Sequence, residues 1–283
     1  MNVELLQTYE LGHLAPVLSR YEKPSIAFWG HEAPEGDAIH RSNLGGLPLL
    51  PKGFEWPANA ARPLDFLLQI DCAEVSAIDP HKILPTSGLL TFFYDLENQP
   101  WGYDPKELDG FRIVLLDQDG CVSTPLPDPE YHLAQRALSF GPGKTLPHIG
   151  SRDFERLSTE ASLSDAEVDK YLEFLDAYEL QAYPVRSGRH RIFGHSANVQ
   201  GDMQLEAQLV SNGLYCGDET GYNDPRAKPL EPGADDWVLL LQIDSDDSSD
   251  LMWGDLGMLY FWIRQEDLAA HRFDRAWMTL QCG

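Results

Sequence analysis

The chain has 283 residues, 43% of them hydrophobic and 11% aromatic, enough to bury a large core without disulfides or a structural metal. Forty-five Asp and Glu residues face 21 Lys and Arg, a formal net charge of -24 that repels phosphate backbones and anionic lipid, so nucleic-acid and membrane-surface binding are not expected. The same field would speed encounter with a basic protein.

Residues 2–20 carry Val3, Leu6, Leu11, Leu14 and Leu18 at near-helical spacing, interrupted at Pro16, which predicts a broken helix. Ser25–Trp29 reads as a strand. The segment Gly30–Ala61 is dense in glycine and proline, and its Gly45-Gly46 pair and flanking prolines predict a stiff, shaped loop ending at Trp56-Pro57. Either this loop is the rim of a binding site with Trp56 as its platform, or it is a rigid connector.

Phe66-Leu-Leu-Gln69-Ile-Asp71 followed by Gly88-Leu-Leu-Thr-Phe-Phe-Tyr94 predicts two strands. A second stretch echoes it, Trp237-Val-Leu-Leu-Leu-Gln242-Ile-Asp244 followed by Gly257-Met-Leu-Tyr-Phe-Trp-Ile263. A repeated pattern in one chain predicts a duplicated β unit. Between the copies, Phe111–Asp117 and Cys121–Thr124 read as two strands of a meander joined at Asp119-Gly120. Ser164-Asp-Ala-Glu167 is a capping box, and Val168, Tyr171, Leu172, Leu175 and Tyr178 continue at helical spacing, which predicts a helix within 164–182 with an acidic outer face. Further on, Leu205, Ala207 and Leu209 alternate with Gln204, Glu206 and Gln208 and predict a half-buried strand. Residues 211–236 read as a long turn-rich loop. A short helix near Gln265–Ala270 and a strand with Ala276, Met278, Leu280 and Cys282 on one face close the chain.

The fold class expected is therefore α+β, a mostly antiparallel sheet with an internal duplication and two or three helices. We expect one compact domain, 1–283, whose related halves, about 25–125 and 185–283, are joined by the segment holding the 164–182 helix. Cys72, Cys121, Cys216 and Cys282 are scattered without Cys-x-x-Cys spacing and read as reduced thiols. Neither an export signal nor a membrane-spanning run is evident, which makes the cytoplasm the expected compartment.

The chain shows no nucleophile elbow, phosphate-binding loop, zinc-protease helix or dinucleotide fingerprint. Four features bear on chemistry. His190 and His195 lie beside Arg189 and Arg191, a group able to bind an anion or act in acid-base chemistry. Gln69, Asp71, Gln242 and Asp244 leave matching places in the two repeats; they either converge on a cleft between the halves, with Trp56, Trp253 and Asp255 nearby, or satisfy the backbone where the strands end. In the acidic loop from Asp244, carboxylates at Asp244, Asp246, Asp250 and Asp255 echo calcium-loop spacing, although Ser249 stands where that loop needs glycine and strands flank it. The alternative there is a solvated connection, and no cofactor is expected.

Arg41-Ser-Asn-Leu-Gly-Gly-Leu-Pro48 with Trp56-Pro57, both Gln-Ile-Asp repeats, Met252-Trp-Gly-Asp255 and the Gly257 aromatic strand together resemble the YwqG-like family, a bacterial domain of unknown function. The pattern departs at Gly194-His195-Ser-Ala-Asn198, where a glycine-rich turn with a proline is expected. The resemblance implies an α+β protein on a duplicated antiparallel sheet, and some relatives look like immunity proteins encoded beside secreted toxins. Two functions are carried forward. The first is a cytoplasmic, non-catalytic binding protein, an immunity-like inhibitor of a basic partner; the second is a small-molecule or metal-binding protein, or an enzyme, using a cleft between the halves.

Overall fold

The computed structural model describes residues 2–32, 41–128, 132–183 and 188–283. It opens with α1 (Val3–Thr8), a 3-10 turn (Gly12–Leu14) and α2 (Ala15–Tyr21), the broken helix expected from the leucine spacing. Pro16 lies in the first turn of α2, where a missing N–H removes no helical bond. Then come β1 (Lys23–His31), β2 (Asn43–Leu44), β3 (Leu49–Pro51), β4 (Asp65–Asp71), α3 (Cys72–Ser76), β5 (Leu89–Tyr94), β6 (Phe111–Leu116), β7 (Cys121–Ser123) and β8 (Arg136–Thr145). Two helices follow, α4 (Arg152–Ala161) and α5 (Asp165–Glu179), the latter starting at the expected capping box. The remainder holds β9 (Arg191–Ile192), α6 (Met203–Val210), α7 (Glu219–Tyr222), α8 (Ala227–Leu230), β10 (Trp237–Asp244), β11 (Met258–Arg264), α9 (Gln265–Ala269) and β12 (Trp277–Gln281).

Ten strands form one antiparallel sheet in the order β12-β11-β10-β9-β1-β8-β2-β4-β5-β6. Outward from the central β1·β8 pair each side carries a two-residue strand, then a hairpin, then an edge strand. The β4·β5 and β10·β11 hairpins each have one register shift, between Phe66 and Leu68 and between Leu239 and Leu241, just before Gln69 and Gln242. The sheet curls until its two ends face each other across the core, an almost closed barrel. Phe92 of β5 meets Phe261 of β11 at 5.2 Å between ring centres, and Phe111 of β6 meets Trp277 of β12 at 6.1 Å. Helices α1, α2, α4 and α5 pack a second core around Leu18, Leu157 and Phe174, and α6 covers the outer face of β10–β12.

Three expectations need correction. Among the described residues there are nine α-helices rather than two or three, several of them one or two turns long and too short to leave a periodic signal. Residues 203–210 form α6, not a strand: Asp202 caps it by accepting from Gln204 N, and Met203, Ala207 and Val210 bury at helical intervals. β7 does not fold back on β6 but pairs with β3 in a separate two-stranded sheet, Leu50 opposite Val122. Inside the turn-rich 211–236 region lie α7, α8 and a 3-10 turn (Glu231–Asp236).

All four cysteines are unpaired. No helix among the described residues is long and apolar enough to cross a membrane. The segment before β6 lies against β12: Leu280 N donates to Trp101 O at 2.9 Å and Trp277 Nε1 donates to Gly102 O at 2.8 Å. Gly102 has φ +86°, and any side chain there would run into the Met278 carbonyl.

Candidate functional site

A cavity of about 360 Å³ opens where the first residue of β1, the start of α4, the turn after β9, the β10·β11 hairpin and α9 come together. Its apolar wall comes chiefly from Phe193, Trp237, Leu239, Trp262 and Leu268, and its polar end from Lys23, Ser151, Asp153 and His195. A cleft of this size and mixed lining suits a small organic molecule.

Local chain geometry builds the polar end. Ser151 caps α4, accepting from Phe154 N at 3.2 Å while its hydroxyl donates to His148 O at 2.7 Å, which sets Asp153 in the first turn facing the end of α2. Lys23 Nζ donates to Asp153 Oδ2 at 2.7 Å, and Arg156 Nη1 approaches Asp153 Oδ1 at 3.3 Å. His195 Nδ1 stands 3.4 Å from Asp153 Oδ2. Its Nε2 donates to the Tyr21 carbonyl at 2.7 Å, and its backbone N–H donates to Thr145 Oγ1 at 2.7 Å. Burial raises the Asp153 carboxyl, but Lys23 and Arg156 beside it bring it below its ordinary value.

The turn that delivers His195 is strained. Phe193 has φ +62° and Gly194 φ +81°, two consecutive left-handed residues directly after β9. At the corresponding place after β2, the pair is Gly45 and Gly46, with φ +60° and +72°. Glycine takes that conformation freely, whereas a phenylalanine held there costs on the order of 1–2 kcal/mol. The cost falls at a residue that lines the cavity, and strain of this kind gathers at ligand sites.

The apolar wall has one polar defect. Trp237 Nε1 donates to Gln208 Oε1 at 2.9 Å, so that indole is satisfied. Trp262, only 4% exposed, has an Nε1–H that is buried and finds no partner. Buried donors are nearly always paired, and this one is a local exception, closed off from the cavity as well as from bulk solvent.

His195 is not a free base in this arrangement, because one nitrogen is spent on Tyr21 and the other faces Asp153. Burial, with Lys23 adding to it, pushes its pKa from 6.5 down to about 3. The unfolded chain takes up this proton near pH 6.5 while the folded chain refuses it until about pH 3, so the histidine's contribution to stability falls as pH drops from 6.5. At pH 5 the loss should be on the order of 2 kcal/mol. Urea unfolding at pH 7 and pH 5 should show it, and His195→Gln should remove that part of the difference; an unchanged difference would refute a neutral buried histidine.

Of the residues singled out from the sequence, His195 lines this cavity. Trp56 is half-buried, donating Nε1 to Leu64 O at 2.7 Å and standing edge-on to Phe93. Gln69 and Gln242 are each 0% exposed. Gln69 accepts from Leu49 N and donates to Leu49 O; Gln242 accepts from Ala197 N and donates to Arg189 O. Asp71 caps α3 by accepting from Ala73 N. Buried Trp253 donates its indole N–H to Asp244 O at 3.2 Å. Arg191 is buried against Glu179, with 2.8 and 2.7 Å contacts. His190 stacks on Phe28 at 5.3 Å and accepts from Asp244 N through Nδ1, so it is held apart from His195.

The acidic loop uses its carboxylates singly. Asp244 accepts from Arg189 N at 2.8 Å, and Asp246 accepts from Ser248 N and Ser249 Oγ, while Asp250 and Asp255 are exposed. Among the described residues no group of three or more His, Cys, Asp or Glu side chains is arranged to hold a metal ion. Sequence reasoning missed Lys23, Asp153, Trp237 and Trp262 as a group, because each alone reads as surface charge or core.

Compared with known families, residues 42–282 match "Domain of unknown function (DUF1963)", a span that includes every cavity residue named above except Lys23. No curated protein matches the chain.

Proposed function

This chain belongs to the DUF1963 family, a domain of unknown function, and on that footing we propose that it is a small-molecule-binding protein whose ligand occupies the cavity between Trp262 and Lys23. The observation that carries the reading is the preformed cavity itself, about 360 Å³ with an apolar wall on one side and the Lys23–Asp153 ion pair at its polar end. The strained Phe193 turn at the same wall supports it. Gln265, exposed at the cavity's edge, gives a way to block the site without disturbing the core. A thermal-shift screen of fragments of 100–300 Da (roughly the size class such a pocket holds) should find compounds that raise Tm in the native chain and not in Gln265→Trp. Hits that stabilise both proteins equally, or no hits at all, would sink this reading.

A second reading, the immunity-like binder of a basic partner, is favoured by the outer face of α5. There Asp165, Asp169, Glu173 and Asp176 are exposed beside Leu172 and, just past the helix end, Leu180. Acidic and apolar groups on one face suit a basic, amphipathic segment, whose binding would weaken steeply with salt. A partner recovered from the source cell that binds equally at 0.05 and 0.5 M salt (about a threefold change in Debye length) would contradict it. The resemblance to the YwqG-like family and the expectation of a cytoplasmic protein stand with either reading.

Matched details support two related halves, about 25–125 and 185–283, within one domain. Leu49 lies six residues after Asn43 and its N–H donates to Gln69; Ala197 lies six after Arg191 and its N–H donates to Gln242. Ser42 Oγ accepts from Asp71 N, and His190 Nδ1 accepts from Asp244 N, each from the residue just before the two-residue strand.

A further inference from the structure

We infer that the seat of α6 on the sheet is a proton-dependent latch: Glu206 packs against Thr279 of β12 as a neutral carboxylic acid, and losing that proton to solvent loosens α6 together with the residues up to Tyr222 that follow it. The carrying observation is a cluster of groups where α6 meets the outer face of the sheet. Glu206 Oε1 is buried there without a hydrogen-bond partner, and so is the hydroxyl of Thr279, a residue only 1% exposed. Buried polar atoms are nearly always paired, and an undissociated acid can share its proton with this hydroxyl while adding no charge.

The surroundings oppose the charged form. The strongest charges acting on Glu206 are negative: Asp202, one turn earlier on α6, and Glu107 of the 3-10 turn Pro105–Asp109, which accepts from Gly102 N at 2.7 Å. Arg152 of α4 is taken up by Asp202 at 3.3 Å and Asp235 at 3.2 Å. From α7 comes the Tyr222 hydroxyl, with the Cys216 thiol between α6 and α7, and Glu219 of α7 is exposed. On the opposite side of α6, α8 and the 3-10 turn Glu231–Asp236 pack at Gln208, and their Lys228, Glu231, Asp235 and Asp236 are exposed. Burial is the largest influence on the Glu206 carboxyl; with Asp202 and Glu107 adding, it outweighs the Thr279 and Tyr222 hydroxyls and pushes the carboxyl up to about 7.

A released glutamate gives up its proton near pH 4.5, whereas the seated one keeps it to about pH 7. Seating is therefore favoured in full below pH 4.5, and that contribution is lost as pH rises through 7. The opening constant of α6 should rise about tenfold between pH 6 and pH 8. The latch also holds a wall of the cavity, because Gln204 Nε2 of α6 donates to Trp237 O at 2.7 Å and Gln208 Oε1 accepts from the Trp237 indole at 2.9 Å.

Hydrogen-exchange mass spectrometry of the full chain at pH 6 and pH 8, each rate referred to the intrinsic rate at that pH, reads the latch directly. Peptides covering 203–214 should lose about tenfold in protection, while α5 changes by less than about twofold. Glu206→Gln, which keeps the shape with no proton to lose, should cut the α6 change to under about twofold. Independently of any variant, carboxyl NMR of glutamate-labelled native protein should show one glutamate titrating near pH 7. If every glutamate titrates below about pH 5.5, or α6 keeps its protection from pH 6 to pH 8, the latch is overturned. A loss in α6 that persists undiminished in Glu206→Gln belongs to another group and overturns it as well. No ligand enters these measurements, so their failure leaves the cavity reading standing.

Discussion

Arg191→Ala is expected to destabilise the protein by about 3–5 kcal/mol, because it leaves the Glu179 carboxylate buried without its cation. Both partners are sealed, at 1% and 2% exposure, and they meet through two parallel bonds. Burial raises the Glu179 carboxyl, but Arg191, with Arg189 behind it, overcomes this and holds it below its usual range. Arg191 Nη1 also reaches the His195 carbonyl at 3.2 Å, so the pair ties the end of α5 to the turn that lines the cavity. Urea unfolding at pH 7 should show the loss as a lower midpoint at constant slope. The double replacement Arg191→Met with Glu179→Met should recover most of it, since an apolar pair needs no compensation. If Arg191→Ala costs under about 1 kcal/mol, water reaches the pair and it is not the sealed ion pair that its burial implies.

Gln242→Leu should cost about 2–4 kcal/mol, and Gln69→Leu a similar amount. Each removes the partner of one buried backbone N–H and one carbonyl, at about 1–3 kcal/mol per orphaned group less the gain from a more apolar side chain. Gln69 additionally donates to Thr91 Oγ1 at 2.7 Å, so its loss should be the larger of the two. Glutamate at either position would be worse than leucine, since a carboxylate cannot donate to the Leu49 or Arg189 carbonyl and would itself be buried. Thermal and urea denaturation of the four variants would rank them. Glutamate proving milder than leucine would mean that water reaches these positions.

Those two glutamines also mark how far the sequence could be read. Their place at the exit of a repeated apolar strand was visible, as were both hairpins, the capping box of α5 and the broken N-terminal helix, because each of these is specified by residues close together in the chain. Their role was not visible, because Leu49 and Ala197, the groups they satisfy, lie 20 and 45 residues away. The same limit hid the partner of β7 and the two-residue strands β2 and β9, which exist only by pairing with distant neighbours. For α6 the failure was of another kind. Leu205, Ala207 and Leu209 alternate with polar residues, but Met203, Ala207 and Val210 also fit a helix, and Asp202 was an available cap. The cavity was the least legible part: His195 stood out beside Arg189 and Arg191, but Lys23, Asp153 and Trp262 come from three other elements, and nothing in their local surroundings distinguishes them from ordinary core or surface residues.

The segment at Trp101 and Gly102 has a consequence for the protein at high concentration. An open sheet ends in two rows of unpaired backbone groups, and such rows recruit strands from other molecules. In this protein the chain lays its own residues along β12, occupying the Leu280 N–H and standing so close to Met278 that a glycine is required for the approach. The opposite edge, β6, is blunted differently, with Arg112 exposed on it. A side chain at position 102 would therefore do more than loosen a loop: it would uncover a sticky edge, and the expected damage is self-association and loss of soluble protein rather than a changed fold.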